Sequence, residues 1–279
     1  MEDINIYADT KEMVNTFLVV EDDPVASATC LDRQRLGKQR VEAYQILNNL
    51  DDLGFLADYL GHEAFPTGIN YSKSVRDAWI QSVMSTVKSN LKAKYIHVTT
   101  NNDVVKRGSS GGNRDKRVSN KLVLYNTKPV IDSGYLISMA FKSHPCTSMW
   151  LGFETGLCHY INAHISAWLS RGYVNNMATY PEAVAVFPSW CQNPDVIDSF
   201  RANLMAKEIE RFEPLHYMYQ QPFVDSFAND IQLVEDIYDV FRTHPQLQTE
   251  WHLKTPLAVE AQQYFLNSCR THVKPYLWS

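Results

Sequence analysis

Four cations stand within eight residues: Arg33, Arg35, Lys38 and Arg40, inside the block Leu31-Asp-Arg-Gln-Arg-Leu-Gly-Lys-Gln-Arg-Val-Glu-Ala-Tyr-Gln-Ile-Leu47. Each can neutralise a phosphate, and free amides at a helix start add donors, so the group suits a phosphate backbone. Glu42 follows Lys38 at i+4, one turn along the same predicted helix. The rival reading is an ion pair on a solvated helix face, worth about 0.2–0.5 kcal/mol. His144 precedes Pro145, which places it in an extended or turn segment before a helix. An imidazole there could bind phosphate or move a proton; capping or packing is its rival role. Glu154, in the first turns of the following helix, suits the helix dipole.

Other chemistries lack support. Cys146, Cys158, His159 and His164 fit no closed zinc spacing. Gly111-Gly112 matches neither a phosphate loop nor a dinucleotide fingerprint, and there is no Gly-x-Ser-x-Gly elbow. The expectation is no metal and no cofactor. Five irregularly spaced cysteines read as reduced thiols. No apolar run approaches the roughly 18–20 residues of a membrane helix. The start, Met1-Glu2-Asp3, has no apolar signal core. A cytoplasmic setting (a host's cytoplasm, were the chain viral) and no membrane contact are expected.

Net charge is −5, yet it is unevenly spread. From Lys88 to Lys128 ten basic residues face two acidic ones, leaving 16 basic against 29 acidic elsewhere. Arg107, Arg114, Lys116 and Arg117 belong to this stretch, in a Gly/Ser-rich basic loop that reads as a long hairpin tip. Such asymmetry is the footprint of a polyanion binder, although a charge run alone is more often a solvated loop.

Elements must hold these groups in place. Residues 1–12 read as an acidic extension, and a packed pattern begins at Asn15-Thr-Phe-Leu18. Asp23-Pro24 predicts a short helix to Cys30, and Asp32 caps a second to about Asn49. On that helix Leu36, Ala43, Ile46 and Leu47 share a packed stripe, and Arg35, Lys38, Glu42 and Gln45 a polar one. Residues 51–70 read as irregular. A helix follows over Asp77–Leu91, then β-like runs at Tyr95–Thr99 and Val118–Tyr125. Pro129–Phe141 is ambiguous. One long helix is predicted over Met149–Leu169, with Trp150, Phe153, Leu157, Ile161, Ile165 and Trp168 near one face and Arg171-Gly172 at its end. Helices at about Pro194–Arg211, Ile231–Arg242 and Pro256–Cys269 complete a mainly α, compact helical domain with a small β-containing part.

At this point the sequence resembles the pyrimidine-dimer DNA glycosylases of the endonuclease V type. The likeness rests on Asn15–Leu18, the Leu31–Leu47 block, His144-Pro with Met149-Trp150, and Trp168-Leu-Ser-Arg-Gly-Tyr173. It continues through Pro188-Ser-Trp190, Phe200-Arg-Ala-Asn-Leu204, Lys207, Tyr217 and the terminal Pro275-Tyr-Leu-Trp278. Residues 1–13 then read as an N-terminal extension, and 14–279 as one domain with insertions at about 55–140 and 222–272.

The resemblance implies an enzyme that binds double-stranded DNA, with no obligatory protein partner, and removes a damaged or modified pyrimidine. Strand cleavage by β-elimination is an accompanying option. Family members use the amine of their first mature residue, which at a pKa of about 7.7–8.0 is partly neutral and can form an imine with the sugar. Here residues 1–13 precede that point, and Val14 would be the terminus only if the chain began after Met13. Arg35 stands where the phage enzymes carry a glutamate, so Asp32 or Glu42 would take the acid–base role, with His144 secondary. Arg33, Arg35, Lys38, Arg40, Arg171 and Arg201 would meet phosphate or sugar, with the basic loop beside them. Trp150 could fill the gap left by an extruded base. The alternatives are a non-catalytic reader of distorted DNA, a base-modifying transferase on the same scaffold, or a helical interaction module.

Overall fold

The computed structural model describes residues 16–92, 97–99, 121–124, 135–138, 141–210, 243–244, 246–247 and 253–272. Helix starts follow local capping chemistry. Asp23 Oδ1 accepts the amides of Val25 at 3.0 Å and Ala26 at 2.8 Å, and Pro24 opens α1 (Pro24–Cys30). Asp32 Oδ1 likewise accepts from Gln34 at 2.7 Å and Arg35 at 2.9 Å, starting α2 (Arg33–Tyr59). This helix runs ten residues past Asn49, because Leu50, Leu53, Leu56 and Ala57 continue its buried stripe. The first part of the stretch read as irregular is therefore helical.

Next come α3 (Lys73–Lys92) and the strands β1 (His97–Thr99), β2 (Lys121–Leu124) and β3 (Tyr135–Ser138). The strands form one antiparallel sheet in the order β1-β2-β3, with His97 opposite Val123 and Leu124 opposite Tyr135. The helix expected over Met149–Leu169 is two helices, α4 (Pro145–Trp150) and α5 (Glu154–Ser170). They are parted at Gly152, whose φ is +83°. Its carbonyl accepts from Gly68 at 2.8 Å, and a Cβ there would lie 2.7 Å from the Pro66 carbonyl oxygen. That tertiary squeeze overrides the helical periodicity. A 3₁₀ turn (Ser189–Gln192), α6 (Pro194–Glu210) and α7 (Pro256–His272) follow. The described chain is mainly helical, as its patterning predicts.

Two compact units emerge, Met1–Tyr44 with Thr155–Ser279, and Gln45–Glu154. In the first, Phe17 packs against Trp190 and Phe200 with ring centroids 5.4 and 5.2 Å apart, and α6 lies against α7. In the second, α3 lies against α4, and the buried Arg76 donates from Nη1 to the Met149 carbonyl at 2.9 Å. The expected 1–13 extension, the basic loop with Arg107, Arg114, Lys116 and Arg117, the Ile231–Arg242 helix and Pro275–Trp278 lie outside the described residues.

Candidate nucleic-acid interface

Arg33, Gly37 and Arg40 recur at i, i+4 and i+7, so one stripe of α2 carries all three. Gly37 lets the stripe approach α5: a Cβ there would stand 3.2 Å from Trp168 Cζ3. The Arg40 guanidinium lies 4.4 Å from the Trp168 ring centroid, and that of Arg33 4.8 Å from the Tyr173 centroid. The two rings stand 4.4 Å apart. Two adjacent aromatic rings flanked by a cation at each end thus form one shelf, with Lys38 exposed on the same turns of α2.

The shelf is held from below by the way α5 ends. Gly172, at φ +78°, donates to the Leu169 carbonyl at 2.9 Å, and Tyr173 donates to Trp168 at 3.3 Å. This pair of bonds is a Schellman cap, and it turns the chain back under Trp168. Trp168 Nε1 donates to the Val174 carbonyl at 2.9 Å. Asn175 Oδ1 accepts from Arg40 Nη1 at 2.6 Å and from the Met177 amide at 3.3 Å, while Nδ2 donates to the Met177 carbonyl at 2.9 Å. Arg40 is 9% exposed, and its burial pulls the guanidinium pKa down from its ordinary value. A desolvated cation on a tryptophan face gains about 2 kcal/mol.

The remaining cations have other partners. Arg35, expected on the polar stripe, is only 3% exposed: positions 35, 39, 43, 46 and 50 form a buried row broader than apolar residue types alone suggest. Its Nη1 donates to Gln34 Oε1 at 2.7 Å, and its Nε lies 4.0 Å from Asp32. Arg171 donates from Nη1 to Leu31 O at 2.7 Å and from Nη2 to Ala28 O at 3.2 Å and Thr29 O at 2.8 Å, closing the end of α1. Arg201 donates from Nε to Val19 O at 2.7 Å and pairs with Asp198 at 3.2 Å. The first amides of α2, expected as phosphate donors, are occupied by the Asp32 carboxylate.

Glu42 is half-buried on α2, one turn past Lys38. Asp32, the other carboxylate considered for proton transfer, is spent as a helix cap. In the unit of residues 45–154, His144 takes the capping role: its Nδ1 accepts the Cys146 amide at 3.2 Å at the start of α4. Trp150 is fully buried and so cannot fill a gap in DNA, contrary to expectation. The same unit holds two groups that sequence spacing did not single out together. Lys142 is buried, its Nζ bonded to Asp52 and to Asn49 Oδ1 at 2.8 Å, and burial lowers its pKa against the pull of Asp52. Burial raises the Glu154 pKa, although Glu154 accepts the Gly152 amide at 3.0 Å. Asn175 was also missed; the only signal for it is that it follows the Trp168–Tyr173 motif by two positions.

Among the described residues no three His, Cys, Asp or Glu side chains group as metal ligands, and no helix is long and apolar enough to cross a membrane. No curated protein and no solved structure matches the chain. A family model described as pyrimidine dimer DNA glycosylase matches residues 14–181, more than half of the 279 residues. The match spans α1 through α5 and the Trp168–Asn175 shelf, takes in the stretch read as the first insertion, and ends before Pro188-Ser-Trp190. The chain belongs to the pyrimidine dimer DNA glycosylase family, a family of DNA-repair glycosylases.

Proposed function

We propose that the protein is a DNA N-glycosylase that removes damaged or modified pyrimidines from duplex DNA and then opens the strand by β-elimination. The observation that carries this reading is the Arg33–Tyr173–Trp168–Arg40 shelf, with Lys38 beside it, inside the region the family match covers. Arg33 and Lys38 are assigned to phosphates. Arg40, fixed by Trp168 and Asn175, supplies a pre-positioned charge that loses little freedom on binding. Glu42, one turn past Lys38 on α2, is assigned to proton transfer, since the Asp32 carboxylate beside Arg33 is engaged as the helix cap.

The chemistry needs an amine. A neutral amine attacks C1′ and the base leaves with its bonding electrons, taking up a proton. The displaced sugar carries nitrogen and O4′ on C1′. Nitrogen gives up a proton, and the C1′–O4′ bond breaks with O4′ taking up a proton. The ring-opened imine that results acidifies the C2′ proton. Its removal expels the 3′ phosphate and breaks the strand. The α-amino group of Val14, where the family match begins, is the assigned nucleophile in a chain that starts there.

Borohydride trapping tests the proposal. Dimer-containing or abasic duplex is incubated with a form beginning at Met1 and a form beginning at Val14, then reduced. A covalent adduct with the second form, lost without the lesion, supports imine chemistry. Glu42→Gln in that form should bind as before but turn over far more slowly. Salt-dependent binding with neither adduct nor nick would make the protein a reader of distorted DNA. Affinity indifferent to salt would remove DNA from the account.

A further inference from the structure

Val174 is 90% exposed, although its own carbonyl and both neighbouring residues are held by hydrogen bonds. Its own carbonyl accepts from Trp168 Nε1. Tyr173 before it donates its amide to Trp168 and carries Arg33 on its ring. Asn175 after it is bound to Arg40 and, twice, to Met177. A lone exposed valine needs no explanation on a surface. A valine on a rigid mount, with a cation-bearing residue on each side, does have a use on a polyanion. Proteins that bend DNA frequently insert an apolar side chain between base steps and partly unstack them. The buried Trp150 cannot do this.

We infer that Val174 is an apolar wedge that enters the base stack of a duplex held by Arg33 and Lys38 and props open the step from which a base is withdrawn. The inference rests on the proposed DNA face and adds to it the residue that deforms the DNA. A rigid mount matters because a wedge on a loose loop would yield before the stack did.

The test uses the full chain and a duplex carrying 2-aminopurine beside an uncleavable abasic analogue. Unstacking raises 2-aminopurine emission. Wild-type protein at saturation should raise it several-fold. Val174→Ser should lose most of that rise while keeping the salt slope of binding. Val174→Leu should keep it. Val184→Ser, at an 86% exposed position on the same extended segment, should behave as wild type. Retention of the rise by Val174→Ser, equal loss by Val184→Ser, or no rise in a wild-type complex that still binds in a salt-dependent way would overturn the wedge alone. Binding indifferent to salt would overturn the DNA face and the wedge together.

Discussion

Arginines that look interchangeable in a sequence divide by what their donors meet. Arg33 is exposed and leans on Tyr173, whereas Arg171 gives its donors to three backbone carbonyls at the end of α1. The two should fail in different ways. Arg33→Ala and Lys38→Ala should each lower the slope of log affinity against log salt by about 1 and leave the melting temperature in place. Arg171→Ala should leave the slope nearly intact and cost roughly 1–3 kcal/mol of stability, since part-buried carbonyls lose their partners. Fluorescence anisotropy across a salt series and thermal unfolding read the two effects separately. A loss of slope with unchanged melting in Arg171→Ala would move that residue to the DNA face. The clustering of cations was visible from types and spacing, but the partners were not, because Leu31 and Arg171 meet only through the tertiary fold.

Helix ends show where local chemistry suffices and where it does not. Asp23-Pro24 and Asp32 announced the starts of α1 and α2, because a cap is made by residues two or three apart. The Gly172 end of α5 was equally local. The break at Gly152 was hidden, since its cause is the Pro66 carbonyl, distant in sequence. The burial of Arg35 was hidden for a similar reason. Only packing decides that the row through Gln39 and Ala43 faces inward. The Trp168–Tyr173 motif was visible, but its use as a shelf depends on the Arg33, Gly37 and Arg40 spacing on another helix. Two glycines of α5 and its cap separate conformational strain from steric strain. A Cβ at Gly172 meets nothing within 4 Å, so Gly172→Ala should cost only the left-handed backbone penalty, about 1–2 kcal/mol. A Cβ at Gly156 would lie 2.3 Å from the Val186 carbonyl oxygen. Gly156→Ala should therefore displace the 186–187 segment and cost more, on the order of 3 kcal/mol or above. Urea unfolding of the two variants measures the difference; equal losses would mean that the segment yields freely.

Acid stability and catalysis should follow separate groups in the folded molecule. His164 is fully buried, stacked on Tyr160 at 3.9 Å, with Nδ1 2.8 Å from the Tyr160 carbonyl and Nε2 3.3 Å from Gln39 Oε1. Burial drives its pKa down to about 4, against the opposing pull of the carbonyl. Unfolded, the same imidazole titrates near pH 6.5. Between those values the unfolded chain takes a proton that the folded one refuses. Stability is therefore full above about pH 6.5 and falls as pH drops towards about 4, by up to about 1.4 kcal/mol per unit and roughly 3 kcal/mol in all. The proposed amine nucleophile has an ordinary pKa of about 7.7–8.0, so turnover should begin to fall at higher pH, while the fold is still at full strength. Urea unfolding read by tryptophan fluorescence at pH 7 and pH 5 tests the first half. His164→Gln should be less stable than wild type at pH 7 yet lose much less between the two values. An equal loss would assign the acid sensitivity to other groups. If turnover and stability instead declined together through pH 6.5, the activity would be limited by unfolding and not by protonation of an amine.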